Sequence, residues 1–583
     1  MNRKMLIGSL VASYLLMASL SLSALEKDDV DPEASTGLTQ HKSATGQSFM
    51  AVSANALATD AAYAMLEQGG SAVDASIAAQ LVLGLVEPQS SGIGGGAFLI
   101  SWNAEKKALV HYDGRETAPM EVDENHFMSA EGKAMSFFKA IVGGYAVGVP
   151  GVVKMLELAH EREGKLPWKV LFEPAIEIAR EGFAVSPRLH KLLRRIPKVA
   201  ERKAITEYFF TKDGQPLPVG HRLKNFDYAD TLERIAKEGS DAFYKGEIAQ
   251  AIVNTVRKDP KVPGKLSMSD MASYKALQRK PACGPFKQYT ACGAALPSSG
   301  GLSVLNILGV LEAKGYEHWP ADSEQFVHLF ADASKLAFAD RNRYMADPDF
   351  VSVPTAALLN PAYWKQRADL IKNTETVAKF PAGEPVSSAL VSSETPAFPS
   401  TSHLSVIDAD GNAVSMTTSI ESGFGSRLFV KGFLLNNQLT DFSFTPIDED
   451  LNNIANRIQA GKRPRSSMSP FIVFDDQQNV KMLIGSPGGS QIILYVARVI
   501  ANVLGQNDSL EAAISRPHIV AKNNGSLVLE KDGFSAELRA QLSQWGHVVK
   551  ERDLNSGLHG IYVEKGIMTG VADPRREGSA RGR

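Results

Sequence analysis

The sequence predicts an α+β fold, from three changes of pattern along the chain. A strand near Phe49-Met50-Ala51-Val52 leads into two successive helical patterns, Asn55 to Gln68 and Ala72 to Leu85, the first stopped by Gly69-Gly70, before the strand Ala97 to Trp102. This order suits a helical layer packed on a sheet. From about Val149 to Leu277 the pattern is mostly helical, whereas after Thr401 it turns to alternating, β-branched segments.

Each element has a local reason. A long helix begins at Asp322, whose side chain can cap the first turn while Gln325 reaches back, and its core stripe is Phe326, Leu329, Phe330, Ala333, Leu336 and Ala337. The later strands are His403 to Ile407, Ala413 to Ile420, Phe433 to Leu435, Phe471 to Phe474 and Met482 to Ile484. A helix follows near Gly489 and runs through Ile493, Val496 and Ile500. The stretch from about Thr374 to Ser400, rich in Pro, Ser and Ala, reads as an exposed tail.

The chain has 583 residues without a linker or charge run dividing it, so one intertwined unit is expected rather than independent domains. Its 44% hydrophobic and 22% charged residues supply an ample core. With 62 Lys and Arg against 64 Asp and Glu, the net charge of −2 argues against a nucleic-acid surface and points to a small-molecule substrate.

Arg3 and Lys4, the apolar stretch Met5 to Leu22 and the small residues Ser21-Leu22-Ser23-Ala24 form an export signal, cut after Ser23 or Ala24. Residues 1–24 are the signal and 25–47 a flexible lead-in; the protein is expected to be exported, periplasmic or secreted, with no stable membrane anchor after signal removal. The alternative is an uncleaved anchor, against which the short, serine-interrupted stretch argues. Cys283 and Cys292 would face each other across a hairpin with a four-residue loop, either as a disulfide, natural for an exported protein, or as two buried thiols. No metal site is expected, with so few thiols and no clustered histidines, and no cofactor is expected either.

The chemistry centres on Ser400-Thr401-Ser402-His403-Leu404-Ser405-Val406. Cutting the Ser400–Thr401 bond would give Thr401 a free α-amine beside its own hydroxyl, nucleophile and base in one residue. An α-amine titrates near pH 8, about two units below lysine, so at neutral pH it can accept the hydroxyl proton. His403 is the alternative base. Gly488 and Gly489 precede a helix, where backbone N–H groups favour negative charge, and are candidate oxyanion donors. Gly94-Gly95-Gly96 lacks the Lys-Ser/Thr ending of a phosphate-binding loop and reads as tight backbone packing.

The blocks after Thr401 are Ser419 and Glu421, Leu434-Leu435-Asn436-Asn437-Gln438-Leu439-Thr440-Asp441-Phe442, Lys462-Arg463-Pro464-Arg465-Ser466-Ser467-Met468-Ser469-Pro470 and Gly485-Ser486-Pro487-Gly488-Gly489-Ser490. Upstream stand Ser91-Gly92-Ile93-Gly94-Gly95-Gly96, Asp113-Gly114-Arg115-Glu116-Thr117-Ala118-Pro119 and Pro297-Ser298-Ser299-Gly300-Gly301. In this order and spacing the chain resembles the γ-glutamyltranspeptidase family of N-terminal nucleophile hydrolases. The resemblance implies a four-layer αββα sandwich and self-cleavage into a large subunit, 48–400, and a small subunit, 401–583. It also implies a γ-glutamyl ester on Thr401, passed to water or an acceptor amine, with glutathione as donor.

By the same resemblance Arg115, Ser466 and Ser467 hold the substrate α-carboxylate. Asp441, Glu421 and Gln438 hold its α-ammonium, and Ser419 supports the nucleophile's amine. Arg463 and Arg465 read as structural pairs or rim charges. Ser419 and Ser402 stand where Thr is frequent in the family, Glu421 where some relatives have Asn, and the run Ser443 to Gly461 lacks the tyrosine of a lid. The competing functions are a glutaryl-type (cephalosporin) acylase of the same fold and a non-catalytic exported protein.

Overall fold

Two antiparallel sheets, each of seven strands, carry the fold in this computed structural model, which describes residues 42–195, 199–385, 390–393 and 400–583. The first sheet has the order Lys42–Gly46, Ile567–Ala572, His559–Glu564, Val480–Gly485, Phe471–Phe474, Tyr289–Gly293, Ala282–Phe286. The second runs Ser579–Gly582, Met50–Ser53, Ser400–Ile407, Ala413–Glu421, Gly96–Asn103, Ala108–Gly114, Leu277–Arg279. Each sheet mixes strands from before and after residue 400. The two stretches of chain therefore cannot separate without breaking both sheets.

Strand alternation sorts the core. Phe98, Ile100 and Trp102 join one apolar cluster with Ile472, Met482 and Ile484 of the other sheet. Their neighbours Ala97 and Leu99 join a second cluster with residues of the helices Ala56–Glu67 and Ala72–Val86. The first cluster extends into Gly300–Ala313, Glu324–Tyr344 and Ile492–Gly505. Helix Ala72–Val86 is buried along its whole length and starts from a capping box, Ser71 with Asp74.

Several expectations need correction. The lead-in ends earlier than residue 47: Lys42–Gly46 pairs with Ile567–Ala572, so backbone hydrogen bonding overrides its polar composition. The export signal at residues 1–24 lies outside the described residues. The long helix is capped by Ser323, whose Oγ accepts the Phe326 N–H at 3.3 Å, not by Asp322, whose carboxylate instead pairs with Arg498 and Arg516. Within the expected tail, Phe380 is buried and its N–H reaches Asn523 Oδ1 at 2.7 Å, while the Gly383 N–H reaches Asp340 Oδ1 at 2.8 Å. Residues 394–399, next to the expected cut, lie outside the described residues.

Cys283 pairs with Cys292 in register and the two are joined by a disulfide. The hairpin is tighter than expected, with only Lys287 and Gln288 between the strands Ala282–Phe286 and Tyr289–Gly293 and Lys287 at φ 54°. Among the described residues no helix is long and apolar enough to cross a membrane.

Candidate active site

Strand Ser400–Ile407 lies between Met50–Ser53 and Ala413–Glu421, buried at every residue. Its pairing with Ala413–Glu421 slips at one place, between Ser400 and Thr401: Thr401 faces Ser419 but Ser400 faces Glu421. The skipped Ile420 sends its N–H to Ser90 O at 3.3 Å, and Ser400 Oγ donates to Gln89 O. Glu421 sits at φ 77°, a left-handed conformation that costs a non-glycine residue about 1 kcal/mol or more. A bulge of this kind re-aims side chains and opens space beside the ladder.

The hydroxyls converge there. Thr401 Oγ1 donates to Ser419 Oγ at 3.2 Å, and Ser419 Oγ in turn donates to the Ser400 carbonyl at 2.8 Å while accepting the Glu421 N–H at 2.9 Å. Ser419 thus touches both the hydroxyl of Thr401 and the carbonyl that precedes it. Ser402, on the opposite face, bonds Ser91 Oγ at 3.1 Å. His403 bonds Thr417 Oγ1 at 2.8 Å and Ser405 Oγ at 3.2 Å, with Gly485 against its ring. Burial holds its imidazole well below the usual range, helped by His559, so it is a neutral group wedged between the sheets rather than a base for Thr401.

Thr401, Ser419, Glu421, Gln438, Asp441, Arg115, Ser466, Ser467 and Gly489 line one pocket. Arg115 is fully buried: its Nη2 pairs with Asp441, and its Nε and Nη2 donate to the carbonyls of Pro464 and Arg465 at 3.2 and 3.3 Å. Burial raises the Asp441 carboxyl, and the Arg115 guanidinium opposes the rise. Gln438 Nε2 reaches Asp441 Oδ2 at 3.4 Å, while Gln438 Oε1 is a buried acceptor without a hydrogen-bond partner. Glu421 accepts from Asn437 Nδ2. Gly488 and Gly489, at φ 137° and 59°, open the turn that enters helix Ile492–Gly505.

The glycine run at 94–96 packs as expected. A Cβ on Gly94 would lie 2.1 Å from Leu434 O, and one on Gly95 2.1 Å from Ser419 O. The Asn436 amide binds both Gly94 O and Gly148 O, at 2.8 and 3.0 Å, which ties the strand entry to the segment carrying Gln438 and Asp441.

Sequence reading missed three residues. Arg341, from the last turn of helix Glu324–Tyr344, enters the pocket and donates to Ser467 Oγ and Ser299 Oγ, both at 2.8 Å. Arg465, read as structural or as a rim charge, does hold backbone, donating to Arg341 O at 3.0 Å, yet it also lines the pocket. Arg576 Nη1 donates to the Thr401 carbonyl at 3.0 Å from the C-terminal segment. A basic residue in a helix's last turn, or one near the chain end, carries no local signal of such a role.

Behind Arg576 lies Glu87, within 3.5 Å of Arg188 Nε and fully buried. Burial and then Glu577 push its carboxyl up to about 8, against Arg576. An acid raised from 4.5 in this way contributes most to stability below that value, and the contribution fades as pH rises toward 8. Glu87→Gln is therefore expected to match the parent's thermal midpoint at pH 5 and exceed it at pH 9. An unchanged difference across that range in thermal unfolding would contradict the buried neutral carboxyl.

Comparison with known proteins agrees with this arrangement. Residues 58–582 match the gamma-glutamyltranspeptidase family. The chain is 34% identical over 550 residues to the glutathione hydrolase proenzyme of Bacillus subtilis (strain 168), covering 92% of each. It is 35% identical over 540 residues to that of Escherichia coli (strain K12), covering 90% of each. Among solved structures, cephalosporin acylase from Bacillus halodurans superposes with a TM-score of 0.82 at 26% identity, over 95% of this chain and 99% of that one. A match over nearly the whole length, through the segments that build the pocket, makes this chain a member of the γ-glutamyltranspeptidase family.

Proposed function

We propose that the protein is an exported, self-cleaving γ-glutamyltransferase/hydrolase of the αββα N-terminal nucleophile type. The observation that carries this reading is the contact chain Thr401 Oγ1 to Ser419 Oγ to Ser400 O, at 3.2 and 2.8 Å. In maturation the Thr401 hydroxyl attacks the Ser400 carbonyl carbon. The C–N bond breaks, the nitrogen takes the hydroxyl proton, and water then hydrolyses the resulting ester to free the Thr401 amine. Ser419 donates to the oxygen on which negative charge develops, and Arg576 holds the residue from behind by its carbonyl.

In turnover the freed amine accepts the Thr401 hydroxyl proton, and the hydroxyl takes the γ-glutamyl group as an ester while the amine component leaves. Gly488 and Gly489 supply N–H donors to the oxyanion, each worth about 3 kcal/mol. Arg115, Ser466 and Ser467, with Arg341 behind Ser467, meet the α-carboxylate; Asp441, Glu421 and the free Gln438 Oε1 meet the α-ammonium. Water or an acceptor amine resolves the ester. The likeness to a cephalosporin acylase supports the rival reading, a glutaryl-type acylase, which has no ammonium to bind.

N-terminal sequencing of the smaller fragment tests the cut: the reading requires it to begin at Thr401. Ser419→Ala is expected to slow appearance of that fragment by about 10²–10³-fold, the loss for one oxyanion donor. Ser419→Thr, which restores the hydroxyl, should recover most of the rate. Cleavage at the parental rate in Ser419→Ala, followed on denaturing gels, would remove Ser419 from the mechanism.

A further inference from the structure

On the helix whose last turn carries Arg341, His328 and Asp332 stand one turn apart on the same face of Glu324–Tyr344. His547 approaches them from the turn after helix Ala536–Gln544, following Gly546 at φ 95°. All three side chains are buried, and each presents one ligand atom within 4.8 Å of the others.

The hydrogen bonds prepare lone pairs. His328 Nε2 bonds the Lys372 carbonyl at 2.7 Å, an acceptor only, so that nitrogen carries the proton and Nδ1 offers its lone pair. Nδ1 accepts a hydrogen bond from His547 Nε2–H at 2.8 Å, and a bound ion takes the place of that bond, the His547 proton passing from Nε2 to Nδ1. Asp332 Oδ1 is used by Lys335 Nζ at 3.0 Å and Thr376 Oγ1 at 2.6 Å, whereas Asp332 Oδ2 is buried with no hydrogen-bond partner, as is His547 Nδ1. A residue that is 0% exposed leaves half its carboxylate unused. That is costly unless something else meets it.

We propose that His328, Asp332 and His547 form a binding site for a divalent transition metal of the zinc type. Two imidazole nitrogens and one carboxylate oxygen are the donor set such an ion prefers. Tetrahedral coordination with Zn–N bonds of 2.0–2.1 Å separates two nitrogens by about 3.3 Å, so the imidazole pair opens by about half an ångström to admit the ion. The Lys335 ammonium opposes binding.

His328 and Asp332 precede residue 400 and His547 follows it, so the ion bridges the two chains that cleavage at Thr401 would produce. Metal binding itself does not depend on that cut, and the uncut Thr401→Ala protein should bind equally well.

The test is titration of tag-free, metal-stripped full-length protein with Zn²⁺ against a chromophoric chelator, with Co²⁺ absorption in the visible as a second readout. One equivalent is expected to bind and raise the thermal midpoint. His547→Gln, which keeps size and polarity, and His328→Ala should each weaken binding by at least about 10–100-fold, the range already seen for second-shell changes. Lys335→Met, which removes the opposing charge, should tighten it. Binding that is absent in the parent, or equal in the parent and both histidine variants, overturns the site.

Discussion

Thr401→Ala is expected to accumulate as one continuous chain, without the fragment that begins at residue 401, and to lose γ-glutamyl anilide turnover by at least about 10⁴-fold, as removal of a nucleophile typically does. Its fold should persist. Thr401 is buried, but its side chain makes one hydrogen bond, to Ser419, and its strand is paired with Ala413–Glu421 from Thr401 onward and with Met50–Ser53 from Leu404 onward. Thr401→Ser should still cleave and turn over, because the hydroxyl and the future amine both remain. A denaturing gel and a chromogenic assay on the same preparations decide the matter: two bands, or retained turnover, from Thr401→Ala would refute the assignment.

Asp441→Asn should separate the two substrate classes. Asp441 is the carboxylate nearest Arg115, and Gln438 leans on it. For a γ-glutamyl substrate the change removes the anion facing the α-ammonium, and losing one partner of a buried charge pair costs about 3–4 kcal/mol, about 10²–10³-fold in kcat/KM. A glutaryl substrate has no such cation. It should suffer only from the loosened Arg115, so the γ-glutamyl rate should fall at least about tenfold further than the glutaryl rate. Equal losses on the two anilides would mean that Asp441 serves Arg115 alone and would favour the acylase reading.

Much of the fold was legible because its signals are local. The strand Phe471–Phe474 and the helix Ala72–Val86 stand close to where apolar pattern and the Gly69-Gly70 stop place them. The exceptions share one physical origin. Lys42–Gly46 is polar, yet its backbone finds Ile567–Ala572 at the far end of the chain; Asp322 looks like a cap, yet two arginines from the region after residue 400 claim its carboxylate. Partners hundreds of residues away leave no trace in a local window.

The site divides in the same way. Thr401, Arg115, Asp441, Ser466, Ser467 and the glycines at 488–489 could be picked out because they sit in dense blocks whose residue types suit one chemistry. Arg341 and Arg576 could not, since each is a single basic residue in an unremarkable setting that reaches its target only after long-range packing. The His328, Asp332 and His547 cluster was invisible for the same reason: only two of its members are near neighbours in sequence.

The sequence by itself determined the alternation of helices and strands, the export signal as an expectation, and the block of residues able to perform acyl transfer. Only the tertiary structure decided the bulge at Ser400–Thr401, the aim of Ser419 at the preceding carbonyl, and which arginine meets which acid. Periodicity is written residue by residue along a strand or helix, whereas a register slip and a buried ion pair depend on the distances between segments that the packed sheets bring together.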